Sequence, residues 1–235
     1  VEVLRLDVTD QASIDEAMAV ADSWVRLAGD VGRLVGLVNN AGVLAVGPFE
    51  ELPPDSVDLV LDTNLHGTLA VTRAVLPRLR GHGGRIVCVT SSSGFGGLPT
   101  WSAYAASKWG VEGWAESLAF EVGPHGIDVV LVEPGAFPTG IWRDDAWHGS
   151  PDGPYGPLVE AMAAADRRAA ESGGDPRAVA RVVARALDAR LPPTRTPVRR
   201  GALLRSPAPA GGRVRARCRT APPPLLRARA TASHA

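Results

Sequence analysis

A chain of 235 residues, 45% of them apolar and 21% charged, can bury a sizeable core without staples, which excludes the disulfide- or metal-dependent mini-protein classes. No uncharged run of about 18 apolar residues occurs, so no segment reads as a membrane span. The formal net charge of +0 hides an asymmetry: residues 191–235 carry ten arginines and no acid, while residues 1–190 carry all 25 aspartates and glutamates.

The chain opens in an apolar, strand-like run, Val1 to Leu6, with no signal peptide ahead of it, so its start reads as cut. Asp7-Val8-Thr9-Asp10 supplies turn and N-cap chemistry, and Ile14, Ala17, Met18, Ala21 and Val25 recur at helical spacing up to Gly29. Leu34 to Val38 is a continuous apolar run ending at Asn39-Asn40-Ala41-Gly42, the pattern of a strand buried on both faces that opens into a loop. A helix is predicted from about Ser56 to a stop near Gly81, introduced by Pro53-Pro54. Arg85 to Thr90 reads as a strand, Trp101 to Glu121 as a helix, and Ile127 to Val132 as a strand ended by Pro134-Gly135. This alternation predicts a Rossmann-like, doubly wound α/β fold with a parallel sheet.

From Phe137 to Gly174 the pattern loosens around one weak helix near Val159 to Ala170 and reads as a mobile covering segment. Asp175-Pro176 then caps a helix whose stripe is Val179, Val182, Val183, Ala186 and Leu187, so the folded domain is expected to span residues 1–190. Residues 191–235, rich in Arg and Pro, are expected to be a disordered tail, either native or the product of a shifted reading frame. The tail lacks an aromatic residue for base stacking, which argues against nucleic-acid binding. Cys88 and Cys218 show neither a disulfide framework nor CxxC spacing, which fits a reducing cytoplasm. His66, His82, His125 and His148 lack metal-ligand spacing, and Asp144-Asp145 reads as a solvated charge pair.

Tyr104 and Lys108 stand four residues apart in a predicted helix, which puts them on one face a turn apart. Free tyrosine titrates near pH ~10, so a tyrosine that moves protons at neutral pH needs a cation beside it. Lys108, the only lysine in the chain, can be that cation. Ser91 ends a predicted strand 13 residues before Tyr104, at the carboxyl edge where open parallel sheets place ligands. Ser92 and Ser93 are its rivals, disfavoured by that offset and by Gly94 three residues on. Trp101, Trp109 and Trp114 suggest a stacking platform, but Trp114, with Val111 and Leu118 on the stripe of Tyr104, reads as core or subunit interface.

Taken together, NNAG at Asn39 to Gly42, Asn64 in DTNLHGT, Ser91, the YxxxK pair Tyr104 and Lys108, and Pro134-Gly135 resemble the short-chain dehydrogenase/reductase family over roughly residues 1–190. GLVNNAG, SKWGVEG and VEPGAFPTG are most similar to the branch acting on hydroxysteroids, retinoids and related lipophilic alcohols. The resemblance implies an NAD(P)-dependent oxidoreductase that interconverts a secondary alcohol and a ketone, with NAD or NADP as cofactor, a small-molecule substrate of lipophilic kind, and a homo-oligomeric intact form. It implies that Tyr104 is the general acid/base, that Lys108 lowers its pKa and binds the nicotinamide ribose, and that Ser91 holds the substrate oxygen. Asn64 would anchor a water linked to Lys108, although a merely structural role at a helix irregularity is its rival. Asp7 and Val8 would line the adenine, Asn39 and Ala41 the adenosine side, and Pro134, Gly135 and Thr139 the nicotinamide, with Gly42 a further cofactor-binding residue.

The family's first two strands and its glycine-rich TGxxxGxG turn are absent from this sequence. That turn gives the pyrophosphate its backbone N–H groups, so cofactor affinity is expected to fall severely, and the chain is expected to be N-terminally truncated. In the family's strand order 3-2-1-4-5-6-7, Val1 to Leu6 is the third strand; it is expected to lie detached or to slide beside Leu34 to Val38. The last family strand has only a faint candidate at Thr194 to Val198. The alternative to an enzyme is a non-catalytic fragment that dimerises through the helices carrying Asn64 and Tyr104.

Overall fold

The computed structural model describes residues 1–29, 32–171 and 173–198. In chain order they form α1 (Gln11–Leu27), β1 (Gly36–Asn39), α2 (Pro54–Leu61), α3 (Thr68–Leu79), β2 (Gly84–Val89), α4 (Ser102–Val122), β3 (Ile127–Pro134), α5 (Gly156–Glu171), α6 (Arg177–Asp188) and β4 (Arg195–Val198). The four strands make one sheet in the order β1-β2-β3-β4, parallel throughout. The register puts Leu37 opposite Ile86 and Ile86 opposite Val129.

Side chains alternate across the sheet, as the pleat requires. Ile86, Cys88, Ile127, Val129 and Leu131 face a core built with Ile14 of α1, Val71, Val75 and Leu79 of α3, and Val111, Ala115 and Leu118 of α4. Trp114 packs against this same core. Val87, Val130 and Val132 face the other way, against Phe137, Val198 and the stripe Val179, Val182, Val183 and Ala186 of α6. Helices on both faces of a parallel sheet are the doubly wound, Rossmann-like arrangement expected from the sequence.

Local signals explain the element ends. Asp10 caps α1 by accepting from Ala12 N at 3.0 Å, and Asp175 accepts from Arg177 N at 2.9 Å at the start of α6. The C-terminus of α6 is held by Arg85 of β2, whose guanidinium donates to the carbonyls of Ala186, Leu187 and Ala189 at 2.7–2.8 Å. A cation there also suits the helix dipole.

Three expectations need correction. Val1 to Leu6 form no strand, and Val1, Val3, Leu4 and Leu6 are exposed, because a strand needs a ladder partner and β1 pairs only with β2. The segment is thus detached, the first of the two outcomes expected for it. The helix predicted across Ser56 to Gly81 is interrupted by a π-helical turn, Asp62–Gly67. The last strand, β4, does form within the segment assigned to the tail, because its backbone completes a ladder on β3, with Leu131 N donating to Thr194 O at 2.7 Å. The disorder expected for the tail falls, from residue 199 on, outside the described residues. No described helix is long and apolar enough to cross a membrane.

Candidate active site

The carboxyl ends of β1, β2 and β3 open into a cavity of about 880 Å³, the place where an open parallel sheet binds ligands. Ser91, Tyr104 and Lys108 line it, together with Gly42, Pro134, Gly135 and Thr139. Ser92 and Ser93 line it as well. Ser91 is distinguished from them by its extended backbone at the end of β2 and by its Oγ, which accepts from Ser93 N at 3.1 Å and so shapes the turn. The loop after β3 and helix α5 cover the cavity. They are pinned by a bridge from Val46 to Trp147, with Val46 N donating to Ala146 O and His148 N to Val46 O, both at 2.8 Å.

Tyr104 and Lys108 are 6% and 5% exposed. The Lys108 ammonium sits 5.6 Å from the centroid of the Tyr104 ring and donates to Val89 O at 3.2 Å. Burial pushes the Tyr104 phenol up to about 12, opposed by a hydrogen bond from Ser91. This is the reverse of the depression that the Tyr–Lys spacing implies. The physical reason is that desolvation acts on both partners: burial also pulls Lys108 down to about 8.

Asn64, 1% exposed, lies in the π turn between α2 and α3. Its Oδ1 accepts from Val43 N at 2.8 Å, and its Nδ2 donates to Val43 O and to Ser107 Oγ, each at 3.0 Å. Ser107 Oγ in turn donates to Tyr104 O at 2.7 Å. Asn64 thus ties the loop after β1 to the helix that carries Tyr104. Gly42 passes over this floor: a Cβ there would stand 3.3 Å from Asn64 Oδ1 and 3.6 Å from Lys108 Nζ.

Asn39 and Ala41 alternate with the lining residues Val38, Asn40 and Gly42 but, like Asp7 and Val8, do not themselves line the cavity. Asp7 Oδ1 accepts from Thr9 N at 2.9 Å and from Thr9 Oγ1 at 2.7 Å. Val8 packs so closely on Gly67 that a Cβ there would meet Val8 Cγ2 at 2.6 Å. Asn39 donates to Thr72 Oγ1 of α3 at 2.9 Å and towards Cys88 Sγ at 3.6 Å. The cavity therefore suits the nicotinamide–ribose part of a dinucleotide, which Gly42, Tyr104, Lys108, Gly135 and Thr139 can flank.

Sequence reasoning missed Ser107, the buried pair in which Trp101 Nε1 donates to Asp166 Oδ2 of α5 at 3.0 Å, and the ion cluster joining Glu112 to Arg195. Only Glu112 carried a local signal, four residues beyond Lys108. Among the described residues no group of His, Cys, Asp and Glu can hold a metal ion. Asp145 of the expected solvated pair is bound by Arg143 at 2.5 Å in an exposed ion pair.

A family profile described as short chain dehydrogenase matches residues 1–147. The chain belongs to this family of oxidoreductases. It is 34% identical over 188 residues to the uncharacterized oxidoreductase YusZ of Bacillus subtilis, covering 78% of this chain and 65% of that one. It is 39% identical over 145 residues to human retinol dehydrogenase 16, covering 60% and 43%. The crystal structure of a short-chain dehydrogenase from Streptomyces avermitilis superposes with a TM-score of 0.71 at 34% identity, covering 86% of this chain and 71% of that one. A gluconate 5-dehydrogenase from Burkholderia cenocepacia, in complex with NADP and tartrate, superposes with a TM-score of 0.53 at 28% identity, covering 59% and 52%. The chain spans less than two thirds of the length of these two curated relatives.

Proposed function

We propose that the chain carries the acid–base part of an NAD(P)-dependent oxidoreductase that interconverts a secondary alcohol and a ketone. The observation that carries this reading is the meeting of Ser91, Tyr104 and Lys108 at one cavity at the carboxyl edge of the sheet. A nicotinamide, when bound, supplies or takes the hydride. Tyr104, pushed up to about 12, is a protonated phenol at neutral pH and gives its proton to the carbonyl oxygen in the reductive direction. Ser91 donates a hydrogen bond to the same oxygen. Lys108 holds its positive charge beside the phenol and stabilises the tyrosinate left behind. Asn64 positions the helix of Tyr104 through Ser107 rather than touching the reacting atoms.

Leu44, Leu98, Ile141 and Trp142, which cluster with Tyr104, and Phe137 give the cavity an apolar lining, which supports a lipophilic substrate. NAD and NADP differ at the adenosine ribose, so residues around a nicotinamide do not choose between them. The buried free thiol of Cys88 fits a reducing compartment such as the cytoplasm.

Titration of NADH and NADPH fluorescence, followed by cofactor oxidation with 2-tetralone, tests this reading. Binding in the high micromolar to millimolar range with slow turnover is expected; no binding at millimolar cofactor overturns it for this chain. A second reading, a non-catalytic fragment that assembles through its helices, is favoured by Leu59, Trp109 and Phe120, which stand 54%, 53% and 42% exposed on α2 and α4. A dimer in light scattering together with no cofactor binding would select it.

A further inference from the structure

Arg195 of β4 meets three carboxylates. Its Nη1 contacts Glu112 of α4 and donates to Glu133 of β3 at 2.7 Å, while its Nη2 donates to Glu116 at 2.8 Å. Glu112 and Glu133 are 3% and 1% exposed, so both meet the guanidinium out of reach of water. Such a cluster carries a large desolvation penalty, and anchoring a four-residue strand is a weak reason to keep it. Glu112 has a second neighbourhood. It stands one helical turn beyond Lys108 on the same face of α4, and it lies under the turn that follows Ser91, where a Cβ on Gly94 would come within 2.8 Å of Glu112 Cγ.

Lys108 is a buried cation whose hydrogen bond goes to a neutral carbonyl, Val89 O. Burial pulls it down to about 8, and negative charge on Cys88 or Glu112 opposes that. Cys88 is itself buried and pushed up to about 11, so it is a neutral thiol throughout the range in which Lys108 titrates. That leaves Glu112. Its own carboxyl is pushed up to about 7, chiefly by burial, with Glu133 and Glu116 adding to the effect and Thr90 and Arg195 opposing it. It is therefore ionised when Lys108 begins to lose its proton.

We propose that Glu112, held in place by Arg195, is a positioning residue for the chemistry of Tyr104: its carboxylate is the buried negative charge that keeps Lys108 an ammonium. The consequence for catalysis rests on the dehydrogenase reading, but the coupling between the two groups does not. Tyr104, buried and protonated, is the remaining titratable neighbour of Lys108.

Because Lys108 is the only lysine in the sequence, lysine labelled with ¹³C at Cε gives one resonance that reads this one amine. In the unaltered chain the resonance is expected to move in two steps, a main one near pH 8 and a smaller one near pH 7 as Glu112 changes charge. In Glu112→Gln the smaller step vanishes and the main one moves down by about one pH unit; Glu112→Asp restores both. A main step at the same pH in all three chains, or a single step in the unaltered chain, overturns the proposal. Should Glu112→Gln fail to fold by circular dichroism, the two-step titration of the unaltered chain decides alone. Coupling without any cofactor-linked turnover would contradict the dehydrogenase reading and leave this one standing.

Discussion

At the β4 edge of the sheet, Arg195 ties a four-residue strand to carboxylates from α4 and β3, whereas at the β1 edge Val35 and Val38 stand 62% and 38% exposed and Val1 to Leu6 form no strand. The groups proposed to move protons lie nearer the first region: Ser91 follows β2, and Tyr104 and Lys108 stand on α4, which packs on β3 and on the π turn of Asn64. The residues assigned to the adenosine half of a dinucleotide belong to the second. There α1 is attached by Ile14 and Ala17 in the core, by Val8 on Gly67, and by a half-exposed pair of Arg78 with Asp22 at 2.6 Å. The two edges of the sheet are thus held by different means, buried ion pairs at β4 and the apolar packing of α1 beside β1.

Five changes would break or sharpen this contrast. Tyr104→Phe removes the proton donor without disturbing its packing, and any cofactor-linked ketone reduction should fall by about 10²–10⁴-fold; unchanged turnover would show that the chemistry lies elsewhere. Arg195→Met leaves Glu112 buried without this cation, and denaturant unfolding should lose about 3–5 kcal/mol. A loss no larger than that of an exposed arginine would mean the β4 edge is not anchored this way. Asn64→Ala takes the side-chain partner from Val43 N and Val43 O and the donor from Ser107 Oγ, for a loss of about 2–3 kcal/mol, with Tyr104 loosened through Ser107.

The fourth concerns pH. Glu112 is raised from 4.5 to about 7, so its protonated form favours the fold below pH 4.5, and that contribution is lost as pH rises through 7. Lys108 is lowered from 10.5 to about 8, so its contribution is present above pH 10.5 and lost as pH falls through 8. Their sum is smallest between about pH 7 and 8, and Glu112→Gln should remove the acid side of this dip in urea midpoints. The smallest effect belongs to the other edge: Val3→Ser and Leu4→Ser should change stability by less than about 0.5 kcal/mol. A larger loss in the same urea titration would mean that the opening segment is packed after all.

Much of this was legible in the sequence. The period of the apolar residues and the caps at Asp10 and Asp175 located the central helices, and the unbroken apolar runs located the parallel strands. Tyr104, Lys108 and Ser91 were legible because a helix repeats every 3.6 residues and because strands of a parallel sheet end at one edge. The π turn around Asn64 was not, since its side-chain partners, Val43 and Ser107, lie 21 and 43 residues away along the chain. Nor was β4, whose RTPV sequence has little strand character and is stabilised by its ladder on β3 and by Arg195.

By itself, then, the order of residues determined the alternation of elements, the parallel sheet and the pairing of a phenol with an amine, because those follow from local periodicity and capping. Tertiary structure alone decided the protonation tendencies of that pair and the company it keeps. Burial drives Tyr104 and Lys108 towards their neutral forms, and a carboxylate fixed by an arginine 83 positions further on supplies the opposing charge. Desolvation and charge–charge contact depend on distance in space, which spacing along the chain does not encode.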